Sequence, residues 1–166
     1  MMDNNLTIKM AAKSQNEALA RTVAAAFIAP LDPSMDVLND IKTAVSEAVT
    51  NAIIHGYKDW EAPRAAENQA PSEHPISAEI ELSMTLTGDE LFITVSDSGV
   101  GISDINQALQ PLYTTSSPEM ERAGMGFTVM ESFMDQVRVL SAPGKGTTVE
   151  MSKKLNTKLN LGNADE

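Results

Sequence analysis

Three polar side chains recur at a spacing of four residues within one apolar segment of the chain. Glu47, Asn51 and His55 occupy positions i, i+4 and i+8, so they share one face if the segment is helical. A carboxylate and an amide held against a core need a partner, because burying an unpaired polar group is costly. A metal ion, a phosphate with its counterion or a hydrogen-bond network would serve, and a solvated polar stripe remains the alternative. The apolar residues at helical spacing around them are Ile41, Val45, Val49, Ala52 and Ile53.

A second candidate site is the segment Asp97-Ser-Gly99-Val-Gly101, which directly follows a predicted strand. A carboxylate at the end of a strand is well placed to meet a ligand. Glycines without a Cβ allow the backbone to approach a flat or anionic group. By itself this pattern is weak, and it is more typical of a turn-rich loop.

A third candidate is Gly124-Met125-Gly126-Phe127, which precedes an apolar helical pattern. The free N–H groups and the positive end of the dipole at a helix N-terminus favour an anion such as phosphate. Glycine pairs also precede many helices that bind nothing, so the pattern alone is weak.

The order of these features is more informative than any one of them. A polar-faced helix is followed by the strand and Asp97, then by an irregular segment suited to a lid (102–123), then by Gly124 and its helix. The chain lacks the GxxxxGK[ST] loop of the commonest nucleotide-binding fold. A nucleotide would therefore need a different cradle.

The elements that would position these residues follow from apolar periodicity. We expect a strand over 6–12, a helix over 14–29 and a helix from Ser34 or Asp36 to about Gly56. Ser14 and Glu17 have the spacing of a capping box. The stripe predicted for the first helix is Leu19, Val23, Ala26 and Phe27. Two hairpins are predicted, with arms at 76–86 and 91–96 and at 137–140 and 147–151.

Length and composition favour a single domain. Residues 1–153 of the 166-residue chain would form it, with a surface loop at 58–75 and a polar tail at 154–166. The net charge of −11 argues against nucleic acid as a partner and is compatible with a basic protein partner. Cysteine is absent, and we find neither a membrane-spanning run nor a signal segment, so we expect a cytoplasmic protein without a membrane partner.

Together these motifs resemble the ATP-binding domain shared by gyrase-type ATPases, Hsp90 chaperones, histidine kinases and MutL. Glu47 and Asn51 match its N box, 97–101 its first glycine box and 124–126 its second. Within that superfamily the sequence is most similar to the anti-sigma serine kinases of Gram-positive bacteria, in particular those of sporulation. The similarity covers about residues 6–153, and its most specific segments are 14–17, 46–57, 121–127 and 133–135.

The resemblance implies a fold and a set of catalytic roles. The fold would be a two-layer α/β sandwich of the Bergerat type, in which a mixed, mostly antiparallel sheet carries helices on one face. Glu47 would be the base that orients or deprotonates a serine hydroxyl, and Asn51 would hold Mg²⁺. Arg122, in the lid, would contact the γ-phosphate.

The remaining implied site residues bind the nucleotide, either ATP or ADP. Asp97 would accept a hydrogen bond from the adenine amino group, supported by Thr148 or Thr147. The glycine boxes and the lid would supply Gly99, Gly101, Thr115, Gly124, Met125, Gly126 and Phe127. His55 would pack or hydrogen-bond at the helix end, and Arg21 would lie on a partner surface.

The resemblance also implies the function. A homodimer would bind and inhibit a sporulation sigma factor (sigma-F), and as an ATP-dependent serine kinase it would phosphorylate an anti-anti-sigma protein. Two alternatives stay open: a stress-response anti-sigma kinase with another sigma partner, and a nucleotide-dependent sequestering module without kinase activity. The sequence departs from the family pattern in the length of 58–75 and in Ser116-Ser117, where a single basic residue is expected.

Overall fold

Five strands form one sheet in the computed structural model, which describes residues 3–57, 78–109 and 125–155. Every pairing among these strands is antiparallel. Their order across the sheet is β1-β2-β3-β5-β4. The strands are β1 (Asn4–Ala11), β2 (Glu79–Thr87), β3 (Glu90–Asp97), β4 (Gln136–Ser141) and β5 (Thr147–Lys154).

Strict alternation of apolar and polar residues defines the two faces of the sheet. In β2 the buried residues are Ile80, Leu82, Met84 and Leu86, whereas Thr85 and Thr87 between and beyond them are exposed. The register carries this alternation across the sheet, since Leu82 pairs with Val95 and Val95 with Val149. One face is therefore apolar and buried, and the other is polar.

Helices cover the apolar face. The α-helices of the described residues are α1 (Gln15–Ile28), α2 (Met35–Asn51), α3 (Ile105–Ala108) and α4 (Gly126–Phe133). Short turns of 3₁₀-helix (Ala29–Leu31) and π-helix (Ala52–Gly56) follow α1 and α2. Residues of α1, α2 and α4 share one hydrophobic cluster with the inward side chains of the sheet. The predicted two-layer α/β sandwich is confirmed. The sheet was predicted to be mixed and mostly antiparallel, and all pairings among the described strands are antiparallel.

The core is made of fully buried aliphatic and methionine side chains. Ile28, Ile41 and Met130 bring the three helices onto the sheet, and each has no exposed surface. Helix α2 is central, because its face with Ala44, Val45 and Ala48 is also buried. Burying each large side chain of this kind stabilises the fold by about 1.5–3 kcal/mol. The packing of α2 therefore fixes its polar side chains in place.

Two details of α1 differ from the prediction. Val23 and Phe27 of the predicted stripe pack against the core, but Leu19 is 49% exposed and Ala26 is exposed. The buried residues of the helix are Ala20, Ala24 and Ile28, so half of the predicted stripe was wrong. The helix carries small apolar residues on several sides, so apolar periodicity alone does not identify its buried face. The capping box is also absent, because the Ser14 side chain makes no cap hydrogen bond.

The cap of α2 forms as the sequence indicates. The Ser34 hydroxyl accepts a hydrogen bond from the backbone N–H of Val37 at 3.3 Å. At the other end of the fold, Lys154 belongs to β5 and Leu155 is buried, although the sequence placed the polar tail from Lys154 onward. In the described part of the chain, we find no helix long and apolar enough to cross a membrane.

Candidate functional site

Two half-buried side chains of α2 form the first part of the site. Glu47 and Asn51 both lie in the regular α-helix, so their four-residue spacing places them on one face, as predicted. His55 lies in the π-helical turn that follows.

The carboxyl group of Glu47 has a perturbed environment. Burial raises its pKa above the usual value, and the negative charge of Glu17 adds to this effect. Because a general base acts best when its pKa approaches the working pH, this shift favours proton transfer. It is therefore consistent with the predicted role of Glu47.

Glu17 is held by two side chains beside Glu47. Its carboxylate accepts a hydrogen bond from the hydroxyl of Ser46, the neighbour of Glu47, and lies 3.5 Å from the guanidinium of Arg21. This tertiary contact occupies the carboxylate that the capping box would have required. The sequence analysis did not identify it, because only the packing of α1 against α2 brings the two residues together.

A cavity of about 370 Å³ opens on this side of the helix pair. Neither Glu47 nor Asn51 lines it, so it is not the predicted phosphate site. Its walls combine charged, hydroxyl and apolar groups from α1, α2 and the π-helical turn. The lining residues are Ser14, Glu17, Arg21, Ser46, Thr50, Ile53 and Ile54.

The N-terminus of α4 meets the end of α2. Gly126 is the first residue of α4, and a Cβ added to it would lie 2.8 Å from the Nδ2 atom of Asn51. No side chain caps this helix, and Met125 before it is 46% exposed. The N–H groups at this end and the Asn51 amide together suit an anion. Phe127 instead packs its side chain against the core.

Asp97 is the buried acceptor at the other end of the site. It is the last residue of β3, is only 9% exposed, and accepts a hydrogen bond from the N–H of Gly99 at 2.9 Å. Burial raises its pKa, although the N–H groups of Gly99 and Thr147 partly offset that effect. A desolvated carboxylate of this kind is a strong acceptor for an N–H donor.

The first glycine box packs directly against the end of the π-helical turn. A Cβ at position 99 would lie 1.8 Å from the carbonyl oxygen of Gly56, so only glycine fits there. The same carbonyl accepts a hydrogen bond from the N–H of Val100 at 2.8 Å. Gly101 continues the loop against Ala142, in the turn between β4 and β5. The N-box segment and the two glycine clusters are therefore parts of one site.

The register between β3 and β5 places Thr148, a predicted site residue, on the opposite face of the sheet from Asp97. Asp97 pairs with Thr147, so these two residues share the face that carries the helices. Thr148 points to the opposite face, where its hydroxyl lies 3.0 Å from that of Ser96. The Thr148 hydroxyl therefore cannot support the same ligand edge as Asp97, and Thr147 is the threonine on that side.

Several predictions concern residues outside the described ranges. Thr115, Arg122 and Gly124 lie there, as do the surface loop 58–75, most of the predicted lid and the tail beyond Leu155. Within the lid, residues 102–109 are described and include the short helix α3. The roles given to these residues stay predictions.

The arrangement has a hydrogen-bond acceptor at one end and an anion-binding end at the other. This polarity suits a ligand with an N–H donor on a flat ring and a charged group some distance away, as in a nucleotide. The Asn51 amide oxygen is of the kind that Mg²⁺ accepts. Among residues 3–57, 78–109 and 125–155 we find no cluster of three carboxylate or imidazole side chains that would hold a metal.

Comparison with known sequences gives a consistent family. A model of the histidine kinase-like ATPase domain matches residues 10–153. An anti-sigma F factor of Clostridium beijerinckii is 51% identical over 156 residues, which are 94% of this chain and 98% of the relative. An anti-sigma F factor of Oceanobacillus iheyensis is 50% identical over 93% of this chain and 95% of its own length.

A solved structure is similar in fold. It contains the RsbU and RsbW domains of a Mycobacterium tuberculosis protein and aligns with a TM-score of 0.58. The alignment covers 92% of this chain and 32% of that one, at 19% sequence identity. At that identity the likeness supports the fold alone.

Proposed function

The chain belongs to the anti-sigma F factors, within the histidine kinase-like ATPase family, and on this basis we propose a bifunctional switch. It binds and inhibits a sporulation sigma factor. It also uses ATP to phosphorylate a serine of an anti-anti-sigma protein, and this inactivates that antagonist. The observation that carries the kinase half is the position of Glu47 one helical turn before Asn51, whose amide lies against the N-terminus of α4.

Glu47 is the catalytic base in this proposal. It lies one helical turn before Asn51, and burial together with Glu17 raises its pKa. A base at this position orients the incoming serine hydroxyl and takes its proton as the phosphoryl group is transferred. A module that only sequesters a partner has no use for such a carboxylate.

Asn51 and the second glycine box hold the phosphate end. The Asn51 amide oxygen supplies one ligand of Mg²⁺, which neutralises charge on the phosphates when bound. The backbone N–H groups at Met125 and Gly126 bind phosphate oxygens. The close approach of Gly126 to Asn51 supports this assignment. Gly124, Thr115 and Arg122 complete the phosphate contacts from the lid.

Asp97 binds the base of the nucleotide. Its buried carboxylate accepts a hydrogen bond from the adenine amino group, and Gly99 and Gly101 allow the loop after Asp97 to pack closely against the backbone of Gly56 and Ala142. A guanine or hypoxanthine base presents a carbonyl oxygen at the same position, which would meet the carboxylate without a proton between them. Selectivity for adenine follows from this mismatch.

Nucleotide state sets which partner complex is populated. If the ATP and ADP forms differ in affinity for the two partners, hydrolysis or transfer shifts the balance between them. Arg21, exposed on α1 and 3.5 Å from Glu17, is a candidate for the partner surface. A homodimer is part of the proposal through the resemblance, and sedimentation of the purified chain tests it.

The decisive experiment incubates the purified protein with γ-labelled ATP, Mg²⁺ and the anti-anti-sigma protein. We expect label on a serine of that protein. Glu47→Ala should keep ATP binding and lose transfer, whereas Asn51→Ala should lose Mg²⁺-dependent ATP binding. Glu150→Ala, on the polar face of the sheet, is the matched control and should behave as wild type.

The same preparation separates the alternatives. Tight ATP binding without any labelled serine would eliminate the kinase activity and leave a nucleotide-dependent sequestering module. Binding measurements with sporulation and stress-response sigma factors, in ATP and in ADP, identify the sigma partner. Preference for a stress-response factor would overturn the sporulation assignment.

A further inference from the structure

The hydroxyl group of Tyr57 joins three backbone groups from two segments. It accepts hydrogen bonds from the N–H groups of Glu79 and Ser98, each at 3.1 Å, and donates to the carbonyl oxygen of Glu79. A phenol has one donor and two acceptor positions, so these three bonds use its full capacity. The first residues of β2 and the turn after β3 are thereby tied to the end of the π-helical turn.

The contact to Ser98 lies next to the proposed base-binding residue. Ser98 follows Asp97 directly, and Gly99 donates its N–H to the Asp97 carboxylate at 2.9 Å. On the other side, the carbonyl oxygen of Gly56 accepts the N–H of Val100 at 2.8 Å. The turn over 97–100 is therefore held at two points by Gly56 and Tyr57.

The space around Asp97 makes its position sensitive to this turn. A Cβ at position 56 would lie 2.8 Å from the Asp97 Oδ1 atom, so the carboxylate already contacts the backbone of Gly56. Burial, and in smaller part the charge of Asp97, raises the pKa of Tyr57, which keeps the hydroxyl protonated at neutral pH. The donor and both acceptors of the hydroxyl are thus available under working conditions.

We propose that Tyr57 is a positioning residue for base recognition. Its hydroxyl fixes the backbone at Ser98 and so sets the direction in which Asp97 presents its acceptor oxygen. The selectivity for a base with an exocyclic amino group then depends on a hydroxyl that acts through Asp97. This inference rests on the proposed role of Asp97 in binding adenine.

The test compares two nucleotides that differ at the relevant group. ADP carries the 6-amino group and IDP carries an oxygen there, so the ratio of their dissociation constants measures the contact with Asp97. Calorimetric titration of wild type should give a ratio of at least about tenfold in favour of ADP, as for one hydrogen bond to a charged group. In Tyr57→Phe we expect this ratio to fall at least threefold, with IDP affinity changed less than twofold.

The Phe variant is expected to fold, because the three backbone groups that it releases lie near the surface, where water replaces the hydroxyl. Ile93→Val serves as the stability control. Ile93 is buried in β3, four residues before Asp97, and the loss of a methylene lowers thermal stability without touching the turn. That variant should keep the wild-type ADP to IDP ratio.

Three results would overturn the inference. An unchanged ratio in Tyr57→Phe would show that the hydroxyl does not act on Asp97. An equal loss of affinity for both nucleotides, or the same fall in the ratio in Ile93→Val, would show a general structural effect. If wild type itself does not distinguish ADP from IDP, the proposed role of Asp97 in binding adenine is wrong. In that case Asp97→Asn should also leave the affinity for ADP unchanged.

Discussion

Gly126 lies against Asn51 so closely that a Cβ on the glycine would stand 2.8 Å from the Nδ2 atom of the amide. The contact joins the end of α2 to the start of α4, two segments 75 residues apart in the chain. It explains why a glycine at this position and an asparagine on α2 belong to one site. The amide can approach the helix N-terminus only because no side chain intervenes.

Replacing Gly126 by alanine should therefore damage binding more than folding. Alanine is the better helix former, and the atom that it displaces is the end of a movable side chain. We expect the free energy of unfolding to change by less than about 1 kcal/mol. Affinity for Mg²⁺-ATP should fall about 10–100-fold, which corresponds to about 1.4–2.8 kcal/mol. Urea unfolding and calorimetric titration measure the two quantities.

Gly144→Ala is the matched control for that experiment. Nothing lies within 4 Å of a Cβ at this position, but its φ of +71° is a left-handed conformation. Alanine there should cost roughly 1–2 kcal/mol of stability and leave nucleotide affinity unchanged. If both variants lost affinity equally, the contact between position 126 and Asn51 would not be the cause.

Asp97→Asn should stabilise the nucleotide-free protein at neutral pH. Burial raises the folded-state pKa of Asp97, so the folded state holds a proton more tightly than the unfolded state. The contribution of this group to stability is full below its unfolded pKa and is lost as the pH rises through the folded pKa. The amide carries no charge and avoids that loss.

Thermal unfolding of the two proteins from pH 4 upward measures this effect. The melting temperature of Asp97→Asn relative to wild type should increase with pH through the folded pKa of Asp97 and then level off. The variant should also bind ADP more weakly, because the amide does not match the adenine amino group as a carboxylate does. A pH-independent difference in melting temperature would contradict the buried-charge explanation.

Local patterns in the sequence predicted much of the sheet and the polar face of α2. In β2 and β3 one face is buried and one is solvated, so apolar residues alternate and the strands are visible in the sequence. Glu47 and Asn51 lie on one face because the helix that carries them is regular. These features depend only on neighbours within the same element.

Features that depend on a second element could not be predicted in the same way. Which of Thr147 and Thr148 shares a face with Asp97 is decided by the register between β3 and β5. The buried side of α1 is decided by its packing on α2. Small apolar residues occur on several sides of this helix, so the sequence pattern alone does not identify the side that is buried. Glu17 has the spacing of a capping residue, yet Ser46, 29 residues away, takes its carboxylate.

A partly buried ion pair anchors the far end of α4. Lys153 on β5 lies 3.1 Å from the carboxylate of Asp40 on α2, and it also donates a hydrogen bond to the carbonyl oxygen of Phe133. Lys153→Met should leave both acceptors unpaired and lower the free energy of unfolding by about 1–3 kcal/mol. Asp40→Asn keeps an acceptor for the ammonium group and should cost less.

An exposed pair on the opposite face provides the comparison. Lys9 lies 3.3 Å from Glu81, but the two side chains are 67% and 43% exposed. Lys9→Met should change the free energy of unfolding by less than about 0.5 kcal/mol, because water screens such pairs. Urea titration of Lys153→Met and Lys9→Met tests the difference, and equal effects would exclude the anchoring role of Lys153.

Glu17→Gln should move the acid limb of the phosphotransfer rate to lower pH. Burial is the larger cause of the raised pKa of Glu47, and the charge of Glu17 is the smaller one, so only part of the shift should disappear. Glutamine still accepts a hydrogen bond from Ser46, which keeps the contact between α1 and α2. A base with a lower pKa loses its proton at lower pH, so kcat should reach half its plateau at a lower pH than in wild type.

Glu150→Gln, which removes a carboxylate from the polar face of the sheet, is the control and should leave the pH profile of kcat unchanged. An acid limb that stays in place in Glu17→Gln would mean either that Glu47 is not the titrating base or that its pKa does not depend on Glu17.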